Sequence, residues 1–196
     1  MIINQQVYDG KFIHDRFAYK VFRKNVSPFG NIVAFRAPMY VAEEGIIDLE
    51  DALERDYIYS EDAVNFCWEI PNLDPFGAVS FQRWFNINIS TILADITGHS
   101  IIIKGDDILV RQQTVSSKDD QPSETLGKAS VSITYSANNV ALGHTGINIR
   151  AGIKAPSFAF STNMTEEQII QFMSRVIDMF NTEVKDIWIA TSKINL

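Results

Sequence analysis

The chain has 196 residues, 46% hydrophobic and 21% charged, a balance that supports a sizeable core and excludes wholesale disorder. Its formal charge of −7, with a pI near 4.9, argues against nonspecific nucleic-acid binding, which needs a basic face. No apolar run approaches the length of a membrane span, and a single cysteine, Cys67, can form no intramolecular disulfide.

The N-terminus, Met1-Ile2-Ile3-Asn4-Gln5-Gln6, lacks the basic and long apolar stretches of a signal peptide. Together with the cysteine usage, this predicts a cytoplasmic protein. Cys67 lies between Phe66 and Trp68, the setting of an inert core thiol more than of a nucleophile. No repeat or low-complexity linker divides the chain, so residues 1–196 are expected to form one domain. Acidity concentrates between Glu43 and Asp62, while the first 36 residues carry Lys11, Arg16, Lys20, Arg23, Lys24 and Arg36. Such asymmetry either steers an anionic ligand toward the basic side or marks a solvated acidic face.

Residues 2–8 are β-prone and end at the turn Tyr8-Asp9-Gly10. Residues 31–41 read as a buried strand, with Arg36 and Pro38 as its odd members. Short helices are expected over 48–55 and 60–70, the second opened by Ser60 as N-cap with Glu61 and Asp62 in its first turn. Beyond the break at Pro71-Asn72-Leu73-Asp74-Pro75, a longer helix is predicted from about 77 to 95. Its Phe81, Trp84, Phe85, Ile92 and Ile96 fall near helical spacing, and Gln82 and Arg83 interrupt the apolar run.

Strands follow over 101–111, 129–135 and 141–150, the last two joined by a hairpin at Ser136-Ala137-Asn138-Asn139. The polar residues 112–127 form either loop decoration or a lid. A capping box, Thr165-Glu166-Glu167-Gln168, opens a closing helix that buries Ile169, Phe172, Met173, Val176, Ile177 and Phe180. This mixture predicts an α+β fold with a mixed or antiparallel central sheet and flanking helices.

The residues suited to chemistry lie between Lys104 and Asn148. Lys128 follows Gly127 and opens a strand on which Ser130 and Ser132 share its face. An ammonium there suits a carboxylate, a phosphate or a developing oxyanion, and equally suits solvent. Asp106 and Asp107 are adjacent, so strand geometry aims only one of them at a site, where it can pair with Lys128 or hold Mg²⁺. Lys104-Gly105-Asp106-Asp107 is also good turn chemistry. His144 sits between Gly143 and Thr145-Gly146, where small neighbours admit a ligand. It is a ligand contact or proton carrier, or else a satisfied core histidine. No other His or Cys stands at metal-ligand spacing, so no metal site built from them is expected. A Gly-x-Ser-x-Gly elbow, a Walker loop and a Gly-x-Gly-x-x-Gly turn are all missing from the sequence.

Taken in order, Asp106-Asp107-Ile108, Gly127-Lys128 and His144-x-Gly146-x-Asn148-Ile149 resemble the signature of the biotin and lipoate protein ligase superfamily. Tyr8-Asp9-Gly10, Val33-Ala34-Phe35-Arg36-Ala37-Pro38, Asp48-Leu49-Glu50-Asp51, Ile58-Tyr59-Ser60 and Gln82-Arg83 are further matches, to an uncharacterised prokaryotic family placed in that superfamily. The resemblance implies the fold shared with class II aminoacyl-tRNA synthetase cores. It implies a ligase- or acyltransferase-like enzyme that binds a small carboxylate or its acyl-adenylate and passes it to an acceptor, such as a protein. ATP and Mg²⁺ are the cofactors implied, and a homo-oligomer is compatible with it.

In that frame Lys128, Asp107 and His144 are the expected catalytic groups. Arg36, Gln82, Arg83, Asp106, Ser130, Gly146 and Asn148 are the expected ligand contacts, with the two arginines as phosphate or carboxylate anchors. Where those ligases carry a Gly- and Arg-rich loop, this chain has Arg36-Ala37-Pro38-Met39, and no cysteine follows Asn148. The alternative is therefore a non-catalytic small-molecule-binding module on the same fold.

Overall fold

The computed structural model describes residues 1–14, 16–49, 53, 57–115 and 122–194. Its centre is a four-stranded antiparallel sheet in the order β1 (Asn31–Val41), β2 (Ile58–Pro71), β7 (Val140–Arg150), β6 (Ser130–Ala137). A smaller antiparallel sheet contains β3 (Ile101–Lys104), β4 (Asp107–Val115) and β5 (Pro122–Lys128). The helices are α1 (Phe17–Phe22), α2 (Pro75–Thr97) and α3 (Glu166–Thr191). The fold class is thus α+β, with antiparallel sheets and flanking helices.

Helices α2 and α3 cover one face of the large sheet. There Phe85, Ile89 and Leu93 of α2 and Phe172, Val176 and Phe180 of α3 pack on Phe66, Trp68 and Ile147. The N-terminal segment covers the other face, where Tyr8, Ile13 and Phe17 meet Val33, Phe35, Met39 and Cys67. Helix α3 starts as its sequence dictates: Thr165 and Gln168 form the reciprocal capping box. Helix α2 is capped by Asp74, whose side chain accepts from the Gly77 amide. No helix among the described residues is long and apolar enough to cross a membrane.

Residues 58–71 form a strand, not the helix expected over 60–70. β2 is a central strand packed on both faces, so Ala63 to Trp68 are all buried and show no alternation. A short, unbroken apolar run of that kind carries no period by which to separate strand from helix. Asp62, read as a first-turn helix residue, instead accepts a bidentate pair of bonds from Arg36.

The strand expected over 101–111 is a hairpin that turns at Gly105-Asp106, with Lys104 opposite Asp107. The polar stretch 112–127 is largely the β4–β5 ladder, and 116–121 lie outside the described residues, as does most of the helix expected over 48–55. Lys128 closes β5 instead of opening the next strand, and Ser130 opens β6. Pro38 falls where the β1–β2 register shifts, between Ala37 and Met39, as expected of a residue with no amide to donate.

The β6–β7 hairpin turns on Asn138 and Asn139, both at positive φ, the geometry that matches strand twist. Gly143 lies in β7 with the Trp68 indole against its Cα, and any Cβ would overlap that ring. Gly143→Ala should therefore destabilise the protein by about 1–3 kcal/mol through overpacking, read as a lower urea midpoint with an unchanged slope.

Candidate functional site

Where the edge strand β6 meets the turn at Asp106 and the end of β5, a hollow of about 310 Å³ opens. Lys128, Asp106, Asp107, Ser130, His144 and Asn148 all line it. Its volume is at the small end of the range for ligand pockets.

The turn carries both carboxylates to the same hollow. Strand alternation predicted only one there, but Asp106 lies in the turn before β4, where alternation does not apply. Asp107 accepts from the Lys128 ammonium at 2.7 Å. Asp106 is held from behind by α2: Arg83 Nη1 donates to its Oδ1 at 3.0 Å and Gln82 Nε2 to its Oδ2 at 3.4 Å. Asn86 Nδ2 donates to the Asp106 carbonyl at 2.8 Å. Burial raises the Asp106 pKa, the Arg83 charge opposes that rise, and the negative charge of Asp107 adds to it.

Gln82 and Asn86 also donate to Ser132 Oγ, and Thr145 Oγ1 donates to Asn86 Oδ1. The two polar residues that interrupt the apolar run of α2, Gln82 and Arg83, thus fix the carboxylate turn from outside the hollow.

The backbone of Lys128 is clamped by the segment that follows β7. Its amide donates to Phe158 O at 2.7 Å and its carbonyl accepts from the Phe160 amide at 2.8 Å. Phe158 lies at the lip of the hollow with more than half its surface exposed. Ser130 Oγ accepts from the Ile108 amide at 2.9 Å, tying the first turn of β6 to β4.

His144 is 1% exposed, its ring stacked on Tyr8 at 3.6 Å between centroids. Asn65 Nδ2 donates to Ala37 O at 3.1 Å and Ala63 O at 3.4 Å, which leaves Asn65 Oδ1 to accept from His144 Nε2 at 2.9 Å. Nε2 is therefore the protonated nitrogen, and Nδ1 is a buried lone pair without a partner. Asn148 Oδ1 is in the same state, while Asn148 Nδ2 donates to the Lys128 carbonyl at 3.5 Å. Burial lowers the His144 pKa from 6.5 to about 3. An imidazole that weakly basic does not carry protons near neutral pH, so its geometry suits a hydrogen-bond acceptor in place of the expected proton carrier.

Besides Gln82 and Arg83, two more expected contacts lie away from the hollow. Arg36 donates to both oxygens of Asp62 and both oxygens of Glu166, cross-linking β1, β2 and the start of α3. Its guanidinium is consumed by those carboxylates and does not line the hollow. Gly146 does not line it either. Its bare Cα makes room for Met39 Sδ on the N-terminal face of the sheet, where a Cβ would overlap that sulfur. Among the contributors that went unread in the sequence are Phe158 and the turn around Gly45. Both sit in non-periodic segments without a motif, so no local signal marked them. Cys67 is fully buried and burial raises its pKa, which fits a core thiol.

Among the described residues no group of three or more His, Cys, Asp or Glu is placed to hold a metal ion. Lys128 is the one basic side chain among the described lining residues, facing Asp48, Asp106 and Asp107. That charge balance does not suit a triphosphate, whose binding draws on several cations or oriented amides.

The sheets and helices make an α+β fold similar to that of solved biotin and lipoate protein ligases. The chain belongs to the family described as Domain of unknown function (DUF366), whose model matches residues 1–195. A protein of unknown function from Pyrococcus horikoshi superposes with a TM-score of 0.79 at 22% identity, covering 100% of this chain and 97% of that one. A mutant biotin protein ligase from Aquifex aeolicus in complex with biotin gives a TM-score of 0.54 at 13% identity, with 94% and 71% covered. The Aquifex ligase in complex with biotin and ATP gives 0.51 at 14% identity, with 91% and 71% covered. P. falciparum LipL1 in complex with lipoate gives 0.54 at 15% identity; 93% of this chain matches 60% of that one. No curated protein matches the sequence.

A histidine pKa depressed on folding means that the unfolded chain binds the extra proton, so stability present above pH 6.5 is lost as pH falls from 6.5 toward 3. Nitrogen-15 spectra should show His144 neutral and Nε2-protonated between pH 8 and 5. Below pH 6.5 its contribution should weaken stability by about 1.4 kcal/mol per pH unit relative to His144→Gln. A His144 ring that titrates near 6.5 in the folded protein would contradict this assignment.

Proposed function

We propose that the hollow binds a small carboxylic acid or an acyl compound already activated elsewhere, such as a thioester. From the activated compound the protein passes the acyl group to the nucleophile of an acceptor such as a protein, the activating thiol departing as the new acyl bond forms. The observation that carries this reading is the Lys128 ammonium, held 2.7 Å from Asp107 inside a hollow that also includes Asn148 and His144. An ammonium has three donors. With one directed at Asp107, the others remain for a ligand carboxylate or for the oxyanion that develops when a nucleophile attacks an acyl carbon. Asp107 fixes the position of the ammonium, and the clamp from Phe158 and Phe160 fixes its backbone. The biotin and lipoate complexes among the structural neighbours support the ligand class.

One ammonium facing three carboxylates in the described lining favours a ligand other than a triphosphate, and no adenylation step is proposed. A specific observation favours the second reading, a binding module without catalysis: Arg36, expected as a phosphate or carboxylate anchor, is engaged by Asp62 and Glu166.

Lys128→Ala should weaken binding of biotin or lipoate, used as probes in calorimetry, at least tenfold. Stability should change by less than about 1 kcal/mol, because the Lys128–Asp107 pair is about one-third exposed on both sides. Unchanged affinity for a probe that the native protein binds would remove Lys128 from the site. Transfer of label from a thioester of the bound acid to an acceptor domain would separate the enzyme from the binding module.

A further inference from the structure

The buried polar atoms left without partners in this hollow are of one chemical kind. His144 lines the hollow, and with Nε2 committed to Asn65 its Nδ1 can only accept a hydrogen bond. Asn148 lines it too, and with its amide nitrogen directed at the Lys128 carbonyl, its Oδ1 can only accept. Trp68 Nε1 is the third such atom among the described residues, and it lies in the core on the helix side of the sheet. His144 and Asn148 sit four residues apart on β7 and so share one face, with about 13 Å of strand between their Cα atoms. Lys128 touches Asn148, whereas Tyr8 lies over His144. The hollow therefore has a charged end, at Lys128 and Asn148, and an aromatic end with an acceptor set into it.

We infer that the ligand's head group, seated at the aromatic end, is a hydrogen-bond donor, an N–H or O–H that meets His144 Nδ1, and that His144 is a specificity-determining residue for it. The inference rests on the reading of the hollow as a small-acid site, and names the substrate class. A head group of hydrocarbon or thioether character leaves Nδ1 buried and unpaired, and a site built to hydrogen-bond a substrate N–H rejects the analogue that lacks it. The ring itself does not repel a donor: it is neutral and its N–H is turned away into Asn65. Tyr8, stacked at 10° to the imidazole, holds the ring plane, so the ring is ordered before a ligand arrives.

Two series of probes test this on the native full-length protein labelled with nitrogen-15 at histidine. The neutral series is ethyleneurea and acetamide, each against its fully N-methylated analogue. The acid series is biotin, whose ring carries N–H groups, against lipoate, whose ring carries none. Expected are a shift of the His144 Nδ1 resonance with the N–H probes and little with the methylated ones, and at least tenfold tighter binding of biotin than of lipoate. His144→Phe should erase that preference.

Lipoate bound as tightly as biotin, or an Nδ1 resonance that neither neutral donor moves at high millimolar concentration, overturns the inference. The neutral arm needs no variant, so a misfolded His144→Phe leaves it decisive. Neutral donors that shift Nδ1 while neither acid binds would uphold the donor preference and sink the small-acid reading. Acids that bind through Lys128 without distinguishing head groups would do the reverse.

Discussion

The antiparallel register of β2 against β7, with Cys67 opposite His144 and Asn65 opposite Gly146, assigns every side chain of the two central strands to a face. Odd residues of β7, from Ala141 to Ile149, meet the helices, and even residues meet the N-terminal segment or the hollow. A slip by one residue would carry Trp68 away from the space beside Gly143 and His144 away from Asn65. Both strands are packed on two sides, so no solvated face exists to absorb such an error. The site's chemistry follows from that packing: the imidazole is neutral because the sheet buries it, and its free nitrogen is defined because Asn65 stands within hydrogen-bond reach of the other.

What could be read from the chain beforehand was whatever carried a local signature. The capping box of α3, the buried strand over Asn31–Val41, the long helix over Pro75–Thr97 and the asparagine turn between β6 and β7 all have chemistry that acts within a few residues. β2 was misread because burial on both faces removes the alternation by which a strand announces itself, and Ser60-Glu61-Asp62 imitates a helix start. Only the tertiary structure reveals that Asp62 is the counter-ion of Arg36.

The hollow was legible in part and for a related reason. Lys128, Asp107 and Asn148 are polar residues at positions where a core strand wants apolar ones, and such local conflicts concentrate at sites. Arg36 met the same criterion and answers to a different cause, a charge network that joins two strands to a helix. Pattern alone cannot separate a cation that serves a ligand from one that serves the fold. Gln82 and Arg83 lay between these cases: they belong to the site's support, since they brace Asp106 from α2 without lining the hollow.

Because the amide and the carbonyl of Lys128 are both hydrogen-bonded to the segment that carries Phe158, the entrance and the backbone of Lys128 form a single mechanical piece. A guest wide enough to lever the aromatic ring outward would drag on the bonds that seat the root of the lysine side chain. If the hollow binds as proposed, admission of bulky molecules would unsettle the footing of the group that holds them, a sieve that operates through distortion in addition to simple exclusion.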